Sequence, residues 1–153
     1  MTTTISNATL TVTITETVTL NGTDQGATNT LTVANVDEIY KRILTCPASN
    51  TTTIATFNSD AHGAANAIDI EDSKYIRVTN KDDTNAVELA IVGATLYQVT
   101  LAAGQSHILG SADGLMLAEE DSSPSFGTMA DIASIQVNPG GNAVDVEIFV
   151  ASI

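Results

Sequence analysis

Apolar and polar residues alternate along most of this chain, and the alternation is densest from Lys74 to Leu109. Ile76 and Val78 interleave with Tyr75, Arg77 and Thr79; Val87, Leu89 and Ile91 with Ala86, Glu88 and Ala90; Tyr97, Val99 and Leu101 with Gln98 and Thr100. A period of two marks strands with one buried face. Between the first two runs lies NKDDTN, Asn80 to Asn85, whose Asn and Asp side chains bond to nearby backbone and tolerate positive φ. Ala102-Ala103-Gly104-Gln105 separates the third run from Ser106–Leu109. The spacing predicts an antiparallel meander with NKDDTN as a hairpin tip, and the rest of the fold is expected to be built around it.

Residues 8 to 20, ATLTVTITETVTL, set Leu10, Val12, Ile14, Val18 and Leu20 on one side and the threonines from Thr9 to Thr19 on the other. Thr is β-branched and favours a pleated surface, so the ladder implies a strand whose second face is wet or meets another polar surface. Thirteen residues exceed the usual strand of about 5 or 6. Either Glu16 marks a bulge that divides the strand, or part of it reaches beyond its own subunit. Asn21-Gly22 is a turn, and Thr28–Val33 a second strand with Leu31 and Val33 inward. Val36–Cys46 fits either period, with a strand over 39–45 favoured by the β-rich surroundings. Further strands are expected at Thr51–Phe57 (Thr53, Ala55 and Phe57 on one face, Ile54 on the other), Ala67–Ile70, Leu115–Leu117, Ile135–Val137 and, closing the fold, Ala143–Ala151. Met129–Ala133 is expected to make a helical turn. About nine or ten short strands with regularly spaced turns predict an all-β, antiparallel two-sheet sandwich, jelly-roll-like, with barrel closure as the alternative. Residues 1–7, polar and Thr-rich, are expected to be a flexible N-terminal arm on a single sandwich domain spanning 8–153.

Composition narrows the partners. The 153 residues, 43% apolar, suffice for one domain that folds without disulfides or metals. Eighteen acidic residues against 5 basic ones give a net charge of −13, which repels nucleic acid and anionic membrane. Neither is expected as a partner. Only 15% of residues are charged, so the coat is mainly Thr, Ser, Asn and Gln, as in secreted and virion β-proteins. Aromatic residues make up 4%, with no Trp, against a platform for stacking sugars or bases. The N-terminus has neither the basic stretch nor the apolar run of a signal peptide, and no apolar run approaches the roughly 20 residues that span a bilayer. Synthesis in a cytoplasm, in soluble form, is expected.

The candidate chemistry is thin. Cys46 has no thiol partner in the chain and fits a half-buried apolar position. His62 and His107 are the only histidines, and a zinc site would need further His or Cys beside them. Neither G-x-S-x-G nor H-E-x-x-H occurs. Asp69, Glu71 and Asp72, Asp82 and Asp83, and Glu119, Glu120 and Asp121 are the acidic groupings. Loops at the end of a sandwich can bind calcium through such groups, but an EF-type loop starting at Asn80 would place Ile91 where it needs a Glu. Turn chemistry and solvation explain them better. Gly140-Gly141 reads as a hairpin rather than a phosphate cradle, because no helix pattern follows it. No catalytic, cofactor-binding or metal-ligating residue is assigned, no cofactor is expected, and the protein is expected not to be an enzyme.

TETVTLNGT at residues 15–23, YIRVTNKDDTNAVEL at 75–89, VTLAAGQSHIL at 99–109 and NAVDVEIFVAS at 142–152 resemble the small accessory structural proteins of tailed bacteriophages, particularly marine ones. The resemblance is one of style, with short alternating strands, V-T-N before a polar turn and L-x-x-G-x-S between strands. It implies a β-sandwich virion component on the outer virion surface. The expected role is a capsid decoration or cement protein that binds across major capsid subunits as a homo-oligomer, a trimer being favoured. A tail or neck adaptor is the alternative within the same class, and a cell-surface or carbohydrate-binding module the alternative outside it. Residues 1–7 would order on contact with a neighbouring subunit.

Overall fold

The computed structural model describes residues 4–60, 67–118 and 123–153. Among them there is no helix, and the chain is all-β. It opens with four strands, β1 (Ala8–Thr15), β2 (Thr19–Leu20), β3 (Thr23–Asp24) and β4 (Thr28–Val36), which form a hairpin outside the body. The body follows as β5 (Glu38–Cys46), β6 (Thr52–Asn58), β7 (Ala67–Asp69), β8 (Ser73–Asn80), β9 (Val87–Gly93), β10 (Leu96–Leu101), β11 (Ser106–Leu109), β12 (Ile132–Asn138) and β13 (Val144–Ser152). One sheet runs β5-β13-β8-β11 and the other β7-β6-β12-β9-β10. Pairing is antiparallel except between β6 and β7. Of the connections between successive body strands, only β6–β7 and β9–β10 stay within one sheet. Without β7, that wiring is the eight-stranded jelly roll.

The two inner faces meet in one core. Ile76 and Val78 of β8 and Val146, Ile148 and Val150 of β13 lie opposite Leu89 and Ile91 of β9 and Ile135 and Val137 of β12, and all are fully buried. Each such side chain contributes roughly 1.5–3 kcal/mol relative to exposure, so the alternating positions carry the fold. The closing strand is central to its sheet rather than peripheral: β13 pairs with β5 on one side and β8 on the other.

The meander expected over 74–109 does not form. β8 and β9 lie in different sheets, so NKDDTN is a crossover and not a hairpin tip; only β9 and β10 make a hairpin. Turn residues reverse the chain equally well into a pairing or a crossing, and one buried face per strand satisfies both. Asn80 braces the crossover. Its buried amide donates from Nδ2 to the carbonyls of Asn85 (2.8 Å), Leu101 (3.1 Å) and Ala102 (3.2 Å), tying the β8–β9 and β10–β11 crossovers together, while its Oδ1 accepts from the Asp82 amide.

Other expectations shift locally. β6 carries a bulge at Ile54, across from the Ile135–Gln136 step, and this turns both Ile54 and Ala55 into the core while Thr53 stays exposed. Residues 129–133 make no helical turn: Ala130 bridges Met116 and β12 starts at Ile132. Leu115–Leu117 contributes only that bridge. Thirteen strands are present among the described residues, more than the nine or ten expected; β7 falls at the short strand expected over Ala67–Ile70, and the ladder of residues 8–20 divides into β1 and β2, with the two-residue β3 added opposite β2.

Candidate functional site

The threonine ladder of residues 8–20 is one side of a long hairpin. Asn21 and Gly22 both have positive φ (51° and 78°), as a type I′ turn requires. From Leu10↔Val33 to Leu20↔Thr23, every pair is equidistant from that turn. The hydrogen bonds Glu16 N–Ala27 O (2.8 Å) and Gln25 N–Val18 O (2.9 Å) carry the pairing across the gap between β1 and β2. Glu16 thus divides the strand without ending the hairpin. On one face Thr11, Thr13 and Thr15 pair with Thr32, Thr30 and Thr28, and such cross-strand Thr pairs stabilise a ribbon. Gly26 sits where the ribbon is tightest, since a Cβ there would lie 2.1 Å from the Glu16 carbonyl oxygen.

The root of this arm lies on the outer face of the four-stranded sheet. Leu10, Val12 and Val33 pack against Val36, Tyr75, Ala151 and Phe149, and the Tyr75 and Phe149 rings meet edge to face at 6.0 Å. That cover explains why Tyr75 and Ala151, on the polar side of their strands' alternation, are buried at 3% and 0% exposure. Farther out, Val12, Ile14 and Leu31 of the arm face Tyr75 and Ile108 across a groove of about 250 Å³. The strand order is β11-β8-β13-β5, so the arm runs toward the β11 edge and away from β5. Beyond Ile14 the chain continues from Glu16 to Leu20, about 17 Å at roughly 3.3 Å per residue. Ile14, Val18, Leu20 and Leu31 are exposed there by 46%, 47%, 63% and 47%.

The β5 half of the same outer face is uncovered. β5 pairs only with β13, and Ile39 and Ile43 flank Lys41 along its outer face, exposed by 49% and 60%. Lys41 lies 3.8 Å from Glu147, which also accepts a 2.5 Å ion-paired hydrogen bond from Arg77. Through that Arg77 hydrogen bond first, the Glu147 carboxyl is held below the ordinary glutamate range. Lys41 and Arg42 on β5, Lys74 and Arg77 on β8 and Lys81 just beyond it are all the basic residues of the chain. The arm has none; its charges are Glu16 and Asp24.

The sequence candidates do not converge. Cys46 is fully buried rather than half-buried, and burial pushes its thiol up. His107 lies 3.3 Å from the Tyr97 hydroxyl, and burial lowers the imidazole. His62, Glu119, Glu120 and Asp121 lie outside the described residues. Asp82 accepts from the amides of Asn85 (2.6 Å) and Thr84 (2.8 Å), and these bonds hold its carboxyl below the ordinary range. It is engaged in turning its own loop. Asp69 likewise accepts from the Glu71 amide. Among the described residues, no group of three or more His, Cys, Asp or Glu side chains could hold a metal ion. Gly140, with φ 67°, shapes the β12–β13 turn. Of the described part of residues 1–7, Thr4–Asn7 are exposed and outside any strand. A structured arm follows, the hairpin of residues 8–36. Its signal was legible as two threonine runs in mirror positions about Asn21-Gly22.

No protein-family model matches the chain, and no curated protein does. Among solved structures, a chain of the Bacillus endospore appendages, described as a novel family of disulfide-linked pili, aligns over 76% of this chain and 86% of its own length. The identity is 11% and the TM-score 0.43, a likeness too distant to carry a role across.

Proposed function

We propose that this chain is a non-enzymatic structural protein of a tailed-phage virion, a cement or decoration protein that binds across neighbouring major capsid subunits on the outer surface. The hairpin arm is the observation that carries the reading. It leaves its own sheet with Val18 and Leu20 in solvent, and apolar side chains on a projecting ribbon are a contact element awaiting a neighbour. A net charge of −13 suits a position outside a shell whose interior holds nucleic acid. Of the six aromatic rings only Phe126 stands well exposed, at 87%, which favours assembly over a sugar-stacking role. Synthesis in the host cytoplasm and a homo-oligomer, a trimer being favoured, complete the proposal.

The test is copy number and location in purified particles, by quantitative mass spectrometry and cryo-electron microscopy. On the order of hundreds of copies on the shell are expected. A dozen or fewer at the neck or tail would replace cement by adaptor, and absence from particles would overturn both.

A further inference from the structure

The uncovered β5 strip and the arm tip are complementary in two respects at once. On β5, Ile39 and Ile43 present apolar surface around Lys41, while Arg42 lies on the other side of the strand and donates to the Tyr40 hydroxyl. On the arm, Val18 and Leu20 present apolar surface on the same face as Glu16, while Asp24, paired with Thr19, lies on the other face. All cations of the molecule lie on or beside the four-stranded sheet, and the arm carries only acids. An arm cannot satisfy the strip of its own subunit, because its root on Tyr75 and Phe149 aims it past Ile108, at the opposite edge. We propose that the arm tip of one copy docks on the Ile39–Lys41–Ile43 strip of a second copy, Val18 and Leu20 against the two isoleucines and Glu16 against Lys41.

The contact joins two different surfaces, so it is head-to-tail and yields a closed ring or an open filament rather than a two-fold dimer. Glu147 does not oppose it, since Arg77 already neutralises that carboxylate. One hairpin tip buries little area, so a single contact falls at the weak end of specific interfaces, and its charge pair weakens with salt. The inference rests on the reading of the arm as an assembly element, but not on a capsid partner.

The test uses the full chain without capsids. One double variant, V18S/L20S, disables the tip, and another, I39S/I43S, disables the strip; all four positions are exposed, and thermal melts verify the fold of each. Sedimentation velocity of the wild type is expected to show association that grows with concentration and falls with salt. Each double variant should lose at least about tenfold in association constant, the equivalent of ~1.4 kcal/mol. An equimolar mixture of the two should form a one-to-one complex and nothing larger, because only one intact tip and one intact strip remain per pair. As a second arm, K41E should weaken association and E16K supplied in trans should restore it. A wild type that stays monomeric at low salt, or variants that fail to complement in either pairing, would overturn the proposal. Particle occupancy reads the cement role separately: a monomeric wild type that still decorates shells sinks only the self-docking, and self-docking without occupancy sinks only the cement role.

Discussion

Asn80 shows how one buried polar residue can brace a topology that apolar patterning leaves undecided. It is fully buried, yet its amide group meets three carbonyls and an N–H, so its desolvation is compensated. An unpaired buried acceptor costs about 1–3 kcal/mol, and the Leu101 carbonyl is the most enclosed of the three. Asn80→Ala should therefore lower stability by about 2–3 kcal/mol in urea titrations. Asn80→Asp should be worse at neutral pH, because it keeps the shape but aims a buried carboxylate at three carbonyl oxygens. Mild acid should recover part of that loss by neutralising the carboxylate. An alanine variant as stable as wild type would mean that the two crossovers hold themselves together.

At the scale of elements, the hairpin arm is the part of the molecule least supported by the core, and Gly26 is its tightest point. Gly26→Ala would drive a Cβ into the Glu16 carbonyl, so the strands must part there and the Glu16–Ala27 bond must break. A two-stranded ribbon is marginal on its own, while the root stays held by Leu10, Val12 and Val33. Hydrogen exchange should find protection lost from residues 16–27 and retained in β8, β12 and β13, with the main melting transition nearly unmoved. Loss of protection in the body would show that arm and sandwich fold as one unit.

The sequence made the strands of this molecule legible and their partners much less so. The alternation in β8, β9 and β13 places Ile76, Leu89 and Ile148 in the core as expected, because a strand with one wet face must repeat every two residues. Whether the next strand pairs or crosses leaves no trace in that period. The outer face of the four-stranded sheet misleads for a related reason: Tyr75 and Ala151 sit at nominally exposed positions and are buried by an element more than thirty residues away in the chain. The exposed strip on β5 was equally hidden, since Ile39 and Ile43 look like core residues of an amphipathic strand.

For the whole molecule, acid has two opposed effects. Falling pH neutralises carboxylates and relaxes the self-repulsion of a chain at −13, which favours the compact state. Three groups act the other way. Glu147, held down by Arg77, and Asp82, held down by the Asn85 and Thr84 amides, have folded values below their ordinary ones. The unfolded chain therefore takes up those protons first, and the stability they contribute is full above the ordinary carboxylate range and lost as pH falls through it toward the lower folded values. His107, lowered by burial, behaves alike from about pH 6.5 downward, because its unfolded imidazole protonates first. Salt decides which effect dominates: a screening length of about 10 Å at 0.1 M removes most long-range repulsion but leaves contacts such as Arg77–Glu147 intact. At low ionic strength stability should hold or rise from neutrality to about pH 5 before falling, and at about 0.15 M it should fall throughout. Glu147→Gln should be less stable than wild type at neutral pH and converge with it as pH falls through the ordinary carboxylate range toward the lower folded value. Urea midpoints across pH at both salt levels measure this, and curves that stay parallel into acid would show that the Arg77–Glu147 pair contributes nothing through its charge.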